Sequence, residues 1–150
     1  MEEYNPNKKE YNPQMHSAEH ILNQTMNRMF NCGRAVSAHI EKKKSKCDYR
    51  FNRNLSQEEI TEVERRVNEV IETRAPVKET FLTREEASQR FTLTRLPEDS
   101  GDSIRIITIG DYDACPCSGL HISNTSEIGT FSIASTELRE GMLRVRFKLT

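Results

Sequence analysis

His16-Ser17-Ala18-Glu19-His20 sets two imidazoles four residues apart, with a carboxylate just before the second. On a helix that spacing projects both rings from one face, where they can grip a single metal ion. About a hundred residues later, Cys117-Ser118-Gly119-Leu120-His121 offers a thiolate and a third imidazole, again four apart, in a segment containing a glycine. Three of the chain's four histidines fall in these two pairs. A set of three nitrogens and one sulfur suits tetrahedral zinc, and the softness of the donors argues against magnesium or calcium. The competing assignment makes His16 and His20 an incidental polar pair and Cys117 a small buried residue; two such pairs in one short chain favour the metal. Cys115-Pro116-Cys117 presents two thiols, of which only Cys117 has the four-residue spacing to His121. Cys115 is therefore read as a neighbouring thiol.

The first motif also reads as H-x-x-E-H, the inverted zinc-peptidase pattern, in which Glu19 would activate water at the metal. That chemistry requires a distant glutamate as third ligand and leaves Cys117 and His121 idle.

Several elements have to bring these residues together. Residues 1–13 are polar, hold Pro6 and Pro13, and read as a flexible arm ahead of one domain over 14–150. From about Gln14 to Phe30, the positions of Ile21, Leu22, Met26, Met29 and Phe30 predict an amphipathic helix that carries both early histidines and stops at Asn31-Cys32-Gly33. Period-two alternation between Ala35 and Asn54 predicts two strands joined by the basic turn Lys42–Lys46. Ser56 with Glu59 forms a capping box, and Ile60, Val63, Val67, Val70 and Ile71 mark one face of a second helix ending near Arg74. A strand over Val77–Leu82, a short helix capped by Thr83 and Glu86, a turn over Pro97–Gly101 and a strand over Ile104–Ile109 follow. Gly110 to about Asn124 reads as a loop, and strands near Ile128–Ser135 and Leu143–Leu149 close the chain. The predicted class is α+β: a mainly antiparallel sheet packed with a long metal-bearing helix and a second amphipathic helix.

Of 150 residues, 35% are hydrophobic and 30% charged, which allows a core but a thin one. No apolar run approaches the ~18 residues of a membrane span, and Met1-Glu2-Glu3-Tyr4-Asn5 lacks the basic-then-apolar layout of a secretory signal. The expected location is cytoplasmic, where four cysteines serve as thiols or metal ligands rather than as a disulfide framework. A net charge of −1 gives no reason to hold nucleic acid through the whole surface, so any such contact needs a local patch. One candidate is Lys42, Lys43, Lys44, Lys46, Arg50 and Arg53, interrupted only by Asp48; the alternative is a charged hairpin tip that solvates an edge. Arg139, Arg144, Arg146 and Lys148 form a second candidate.

At both metal pairs the sequence resembles the alanyl-tRNA editing family: free-standing proteins similar to the editing domain of alanyl-tRNA synthetase and to the second additional domain of threonyl-tRNA synthetase. That family carries H-x3-H near its start and C-x3-H near its end, matched here by His16/His20 and Cys117/His121. Likeness continues through Glu62–Ile71, Pro76-Val77, Arg84–Ala87, Ile109–Asp113 and Ser126–Phe131, covering about residues 14–147. The resemblance implies hydrolysis, at a zinc site, of the ester joining a wrong amino acid to the 3′-terminal adenosine of a tRNA. Seryl-tRNA made for alanine is the usual substrate, and glycyl-tRNA an occasional one. It implies Zn2+ as cofactor and an aminoacylated acceptor end as partner.

The chain departs from the family at three places. Glu19 stands where the family has a small residue, often threonine; Ser118-Gly119-Leu120 replaces a glycine-glycine-threonine insert; and the glycine-rich stretch after the first helix is reduced to Gly33. Glu19 has three roles open to it: general base, determinant of amino-acid choice, or an ordinary residue on a solvated helix face. The non-catalytic alternative is a zinc-containing RNA-binding or synthetase-associated module without deacylation.

Overall fold

Asn12 and Pro13 start the first helix for separate reasons. The Asn12 side chain accepts from Met15 N at 3.0 Å, and Pro13 supplies a preset φ at a position whose N–H would lack a partner. The computed structural model describes residues 12–93 and 102–150. Its first helix, α1, covers Pro13–Phe30, so the arm read over 1–13 ends earlier than its predicted boundary; the rest of that arm and the predicted Pro97–Gly101 turn lie outside the described residues. Asn31 ends α1 in the left-handed region at φ 53°, its N–H returning to Asn27 O.

Two antiparallel sheets flank this helix, where the sequence predicts one. The first has the order β1 (Ser37–His39), β2 (Ser45–Arg50), β7 (Met142–Leu149), β6 (Phe131–Arg139). The second has the order β3 (Val77–Thr83), β4 (Ser103–Ile109), β5 (Asp113–Pro116). β4 explains the division: Ile104 and Ile106 join a small cluster with Ala87 and Leu82, while Ile109 joins the main core with α1. A strand apolar on both faces is buried on both, and here it separates two packing layers.

Two further differences trace to local chemistry. β5 lies inside the segment read as a loop, because Asp-Ala-Cys-Pro is too short and too mixed to show a strand pattern. β6 begins at Phe131 rather than Ile128, because Asn124 caps a 3-10 turn over Thr125–Glu127 that ends on Ile128.

The second helix, α2 (Gln57–Glu72), opens on the expected capping box and buries Val63, Val67, Val70 and Ile71. Its polar flank serves the edge strand: Asn68 exchanges two hydrogen bonds with the Phe131 backbone, at 2.8 and 2.9 Å, and Glu64 accepts from Ile133 N at 2.7 Å. Backbone groups that the sheet leaves unpaired at β6 are met by this helix. The short helix α3 (Arg84–Arg90) has a second capping box, from Thr83 and Glu86, and packs Ala87 against the small cluster.

Tyr49 on β2 crosses the main core to donate to Asn23 Oδ1 at 2.7 Å, an oxygen that also accepts from Ala35 N at 3.2 Å. The four-stranded sheet is thereby tied to the polar side of α1. Tyr49→Phe should cost about 1 kcal/mol in a urea melt with the slope unchanged, the usual net value of one buried hydrogen bond.

Candidate metal centre

From Met15 through Asn23 every residue of α1 is buried, so its polar members cannot turn to solvent. His16, Glu19 and His20 share one face at i, i+3 and i+4, and each is at most 6% exposed. Opposite them, the β4–β5 hairpin alternates Asp113, Cys115 and Cys117 toward the helix. Cys117 N donates to Arg105 O at 3.2 Å, which extends the ladder one residue past β5. The turn of this hairpin is clamped to the far half of α1: Gln24 and Arg28 both donate to Tyr112 O, and Thr25 Oγ1 lies 2.6 Å from Tyr112 Oη.

Arg105 fixes the loop that follows. One nitrogen of its guanidinium donates to Cys117 O at 3.0 Å and to Gly119 O at 2.8 Å, while Nε donates to Glu79 at 2.6 Å. Leu120 O then lies 3.0 Å from His16 Nδ1, and Ser17 Oγ lies 2.9 Å from His121 Nδ1 while accepting from Ile122 N at 3.3 Å. Helix and loop thus satisfy each other's buried polar groups across 104 residues of sequence.

His16, His20, Cys117 and His121 come together, with one donor atom from each lying within 4.8 Å of the others. Cys117 Sγ is 3.4 Å from His16 Nε2 and 3.5 Å from His121 Nε2. Bonds of ~2.0–2.1 Å from nitrogen and ~2.3 Å from sulfur at tetrahedral angles separate such donors by ~3.5 Å. Each imidazole also turns its Nδ1 away, His16 to a carbonyl, His121 to a hydroxyl and His20 toward Asp113 Oδ2 at 3.7 Å. Outer partners of this kind fix the ring and leave Nε2 for a metal. His20 Nδ1 has no hydrogen-bond partner within reach, which a modest shift toward Asp113 would supply. The donor set fits zinc.

Electrostatics point the same way. Burial would raise the Cys117 thiol, but three surrounding histidines bring it down to about 2. Desolvation lowers His121 to about 3, keeping it a neutral donor. Burial opposes charge on His20 as well, yet Asp113 and the Cys117 thiolate raise it well above its ordinary value. Asp113, fully buried at its side chain, is held below the usual carboxylate range despite desolvation, facing His20 and taking two hydrogen bonds from Arg34 at 2.8 and 3.2 Å.

Glu19 is not on a solvated face. It is 6% exposed, with Oε1 3.7 Å from His16 Nε2 and 3.9 Å from His20 Nε2, and Oε2 accepting from Asn23 Nδ2 at 2.6 Å. Asn23 is the residue held by Tyr49, so a relay runs from the four-stranded sheet to a carboxylate beside the cluster. Cys115 lies outside the four-atom group, and burial raises its thiol.

The basic residues divide. Lys42, Lys43 and Lys44 are exposed between β1 and β2, and Lys46 and Arg50 alternate outward on β2, away from the face that carries Tyr49 to α1. Register sets Lys46 against Arg146 and Asp48 against Arg144, so the two basic groups share one outer face. Arg53 differs: both its terminal nitrogens bond Glu59, at 2.8 and 2.9 Å, and its guanidinium lies over Phe51. Sequence reading missed Ser17, Asn23, Arg34 and Arg105 as supports of the site; only the two-residue spacing of Asp113, Cys115 and Cys117 offered a signal, by placing them on one strand face.

Residues 104–146 match the model of the threonyl and alanyl tRNA synthetase second additional domain, a segment that contains Cys117 and His121. Over 138 residues, 88% of this chain, the sequence is 33% identical to an alanine–tRNA ligase of Methanococcus maripaludis. A second alanine–tRNA ligase, from Leptospira biflexa, is 34% identical over 125 residues, 79% of the chain. The chain belongs to the second-additional-domain family related to alanyl-tRNA synthetase. It spans 15% and 13% of the length of those two ligases. Antiparallel sheets and three α-helices among the described residues bear out the predicted α+β class, and no helix among them is long and apolar enough to cross a membrane.

A metal can bind His20 only after its proton leaves. Zinc affinity should therefore rise about tenfold per pH unit up to the raised His20 pKa and then level off. Chelator competition between about pH 6 and 8 measures this, and a flat profile would show that no ligand proton is displaced.

Proposed function

We propose that the chain is a zinc-dependent hydrolase that removes a wrong amino acid from the 3′ end of a tRNA, with seryl- or glycyl-tRNA made for alanine as substrates. The observation that carries this reading is the meeting of His16, His20, Cys117 and His121 beside a buried carboxylate, in a chain related to alanyl-tRNA synthetase. An inverted peptidase has no use for Cys117 and His121, whose donor atoms lie among those of the helix histidines.

When bound, zinc supplies positive charge that orients the aminoacyl group and draws electron density from its carbonyl. The chain's own residues do the rest. Glu19 Oε1 accepts a proton from the water as its oxygen bonds to the ester carbonyl carbon, the bond from that carbon to the ribose 3′ oxygen breaks, and the ribose oxygen takes the proton, releasing a free amino acid. Asn23 keeps the other carboxylate oxygen occupied at 2.6 Å, so only Oε1 remains for the water. An aminoacyl ester is already labile, and placing it beside an oriented carboxylate supplies much of the acceleration. Such a substrate puts the protein in the cytoplasm.

Glu19→Gln should lower kcat by about 10²–10⁴-fold on the edited ester, with zinc content unchanged. A zinc-loaded protein inert toward seryl-, glycyl-, threonyl- and alanyl-tRNA would overturn the hydrolase and leave a zinc-containing RNA-binding module. Glu19-dependent cleavage of unstructured peptides would establish the peptidase instead.

Phosphates distant from the ester fall to Lys42, Lys43, Lys44, Lys46 and Arg50, while Arg53 contributes through its hold on Glu59 at the start of α2. Replacing Lys42, Lys43 and Lys44 by alanine should raise KM for the tRNA and reduce its salt dependence by about one unit of slope per lost contact. Hydrolysis of an aminoacyl-adenosine lacking those phosphates should not change.

A further inference from the structure

Sheet register puts Phe81 in line with the ligand Cys117. β3 pairs Phe81 with Arg105, and Cys117 N donates to Arg105 O at 3.2 Å, so the three residues form one cross-strand row on the face turned to α1. The neighbouring row, Glu79, Ile107 and Cys115, and the next, Val77, Ile109 and Asp113, lie on the same face. Their central members Ile107 and Ile109 are at most 1% exposed. At Phe81 the cover ends: the residue is 58% exposed, although it continues a face that is otherwise packed. Leu120 is 45% exposed and follows Gly119, whose carbonyl is held by the Arg105 guanidinium.

A single exposed apolar side chain needs no explanation; its place relative to the cluster is what gives Phe81 a role. Two strand spacings set its backbone about 10 Å from Cys117, a distance that one nucleoside covers while the ester on its ribose lies at the cluster. The unpaired end of a tRNA presents bases with free π faces, and aromatic side chains capture such bases by stacking. Arg105 stands between, its charge committed to Glu79 and its donors to the loop, and so keeps the row rigid.

We propose that Phe81 is the stacking platform for the base of the terminal nucleoside, with Leu120 closing the side next to the amino acid. This inference rests on the editing function argued above and adds the residue that reads the nucleoside. The chain contains no tryptophan, so F81W introduces a single tryptophan, excited selectively over the tyrosines, at an exposed position where folding is not at stake.

The zinc-loaded full chain is titrated with a non-hydrolysable 3′-serylamido-adenosine and with the same serylamide on a ribose lacking the base. The adenosine compound should quench the F81W fluorescence and the baseless one should not. In the natural sequence background, Phe81→Ala should weaken the adenosine compound about tenfold, leave the baseless one unchanged, and raise KM for the misacylated tRNA with kcat preserved. Phe81→Tyr should restore both. Equal affinity of the unsubstituted protein for the two compounds, or indifference of the adenosine compound to Phe81→Ala, would overturn the platform while leaving hydrolysis standing. Failure of the unsubstituted protein to bind either compound or to hydrolyse any ester would remove the function and the platform together.

Discussion

Burial of the first half of α1 on every side is the constraint from which the rest of the structure follows. A helix that hides Met15, Ala18, Ile21 and Leu22 also hides His16, Ser17, Glu19, His20 and Asn23, and each hidden polar group costs a few kcal/mol unless it is met. The late loop meets them. Leu120 O, His121 and Ile122 N pair with His16 and Ser17, Asp113 faces His20, and Tyr49 reaches Asn23 from the other sheet. Two sheets, one on each side of the helix, are what this pairing requires. One of them delivers the cluster and the other delivers the relay that holds Glu19.

Because the polar layer is shared, supports of the site are also supports of the fold. Arg105 shows the economy: one side chain joins β3 through Glu79 and pins both Cys117 O and Gly119 O. Arg34 and Asp113 do the same between the segment after α1 and the start of β5. Removing Arg34 would leave the buried Asp113 carboxylate without its cation, a loss larger than the pair's net contribution. A thin core, in a chain that is 35% hydrophobic, can be sustained when polar groups act as fasteners of this kind.

Local rules made much of this legible in the sequence. Ser56 with Glu59, Thr83 with Glu86 and the apolar spacing of α2 are helix signals that need no tertiary context, and they located both helices. The four clustered donors were legible because H-x3-H and C-x3-H are rare pairings of chemistry and spacing. What stayed hidden depends on contacts far along the chain. β5 has four residues and its pairing with β4 defines it, so no periodicity could reveal it. A solvated face stayed open among the three roles for Glu19 because charge normally marks the outside; only the arrival of β5 and the ligand loop on that face makes it an inside residue. The division into two sheets was equally invisible, since a strand apolar on both faces reads the same whether its neighbours form one sheet or two.

Charge in the polar layer links the fold to a divalent ion. The Cys117 thiolate and the Asp113 carboxylate are both favoured in their charged forms, Asp113 by Arg34 and His20 and the thiolate by three imidazoles. Arg34 answers Asp113, which leaves the thiolate among imidazoles in a region from which water is largely excluded. A divalent cation would supply positive charge there and give the imidazoles and the sulfur the partner their geometry already anticipates. Glu19 brings a further carboxylate to the same place, with Oε2 tied to Asn23 and Oε1 still turned toward the ligand nitrogens.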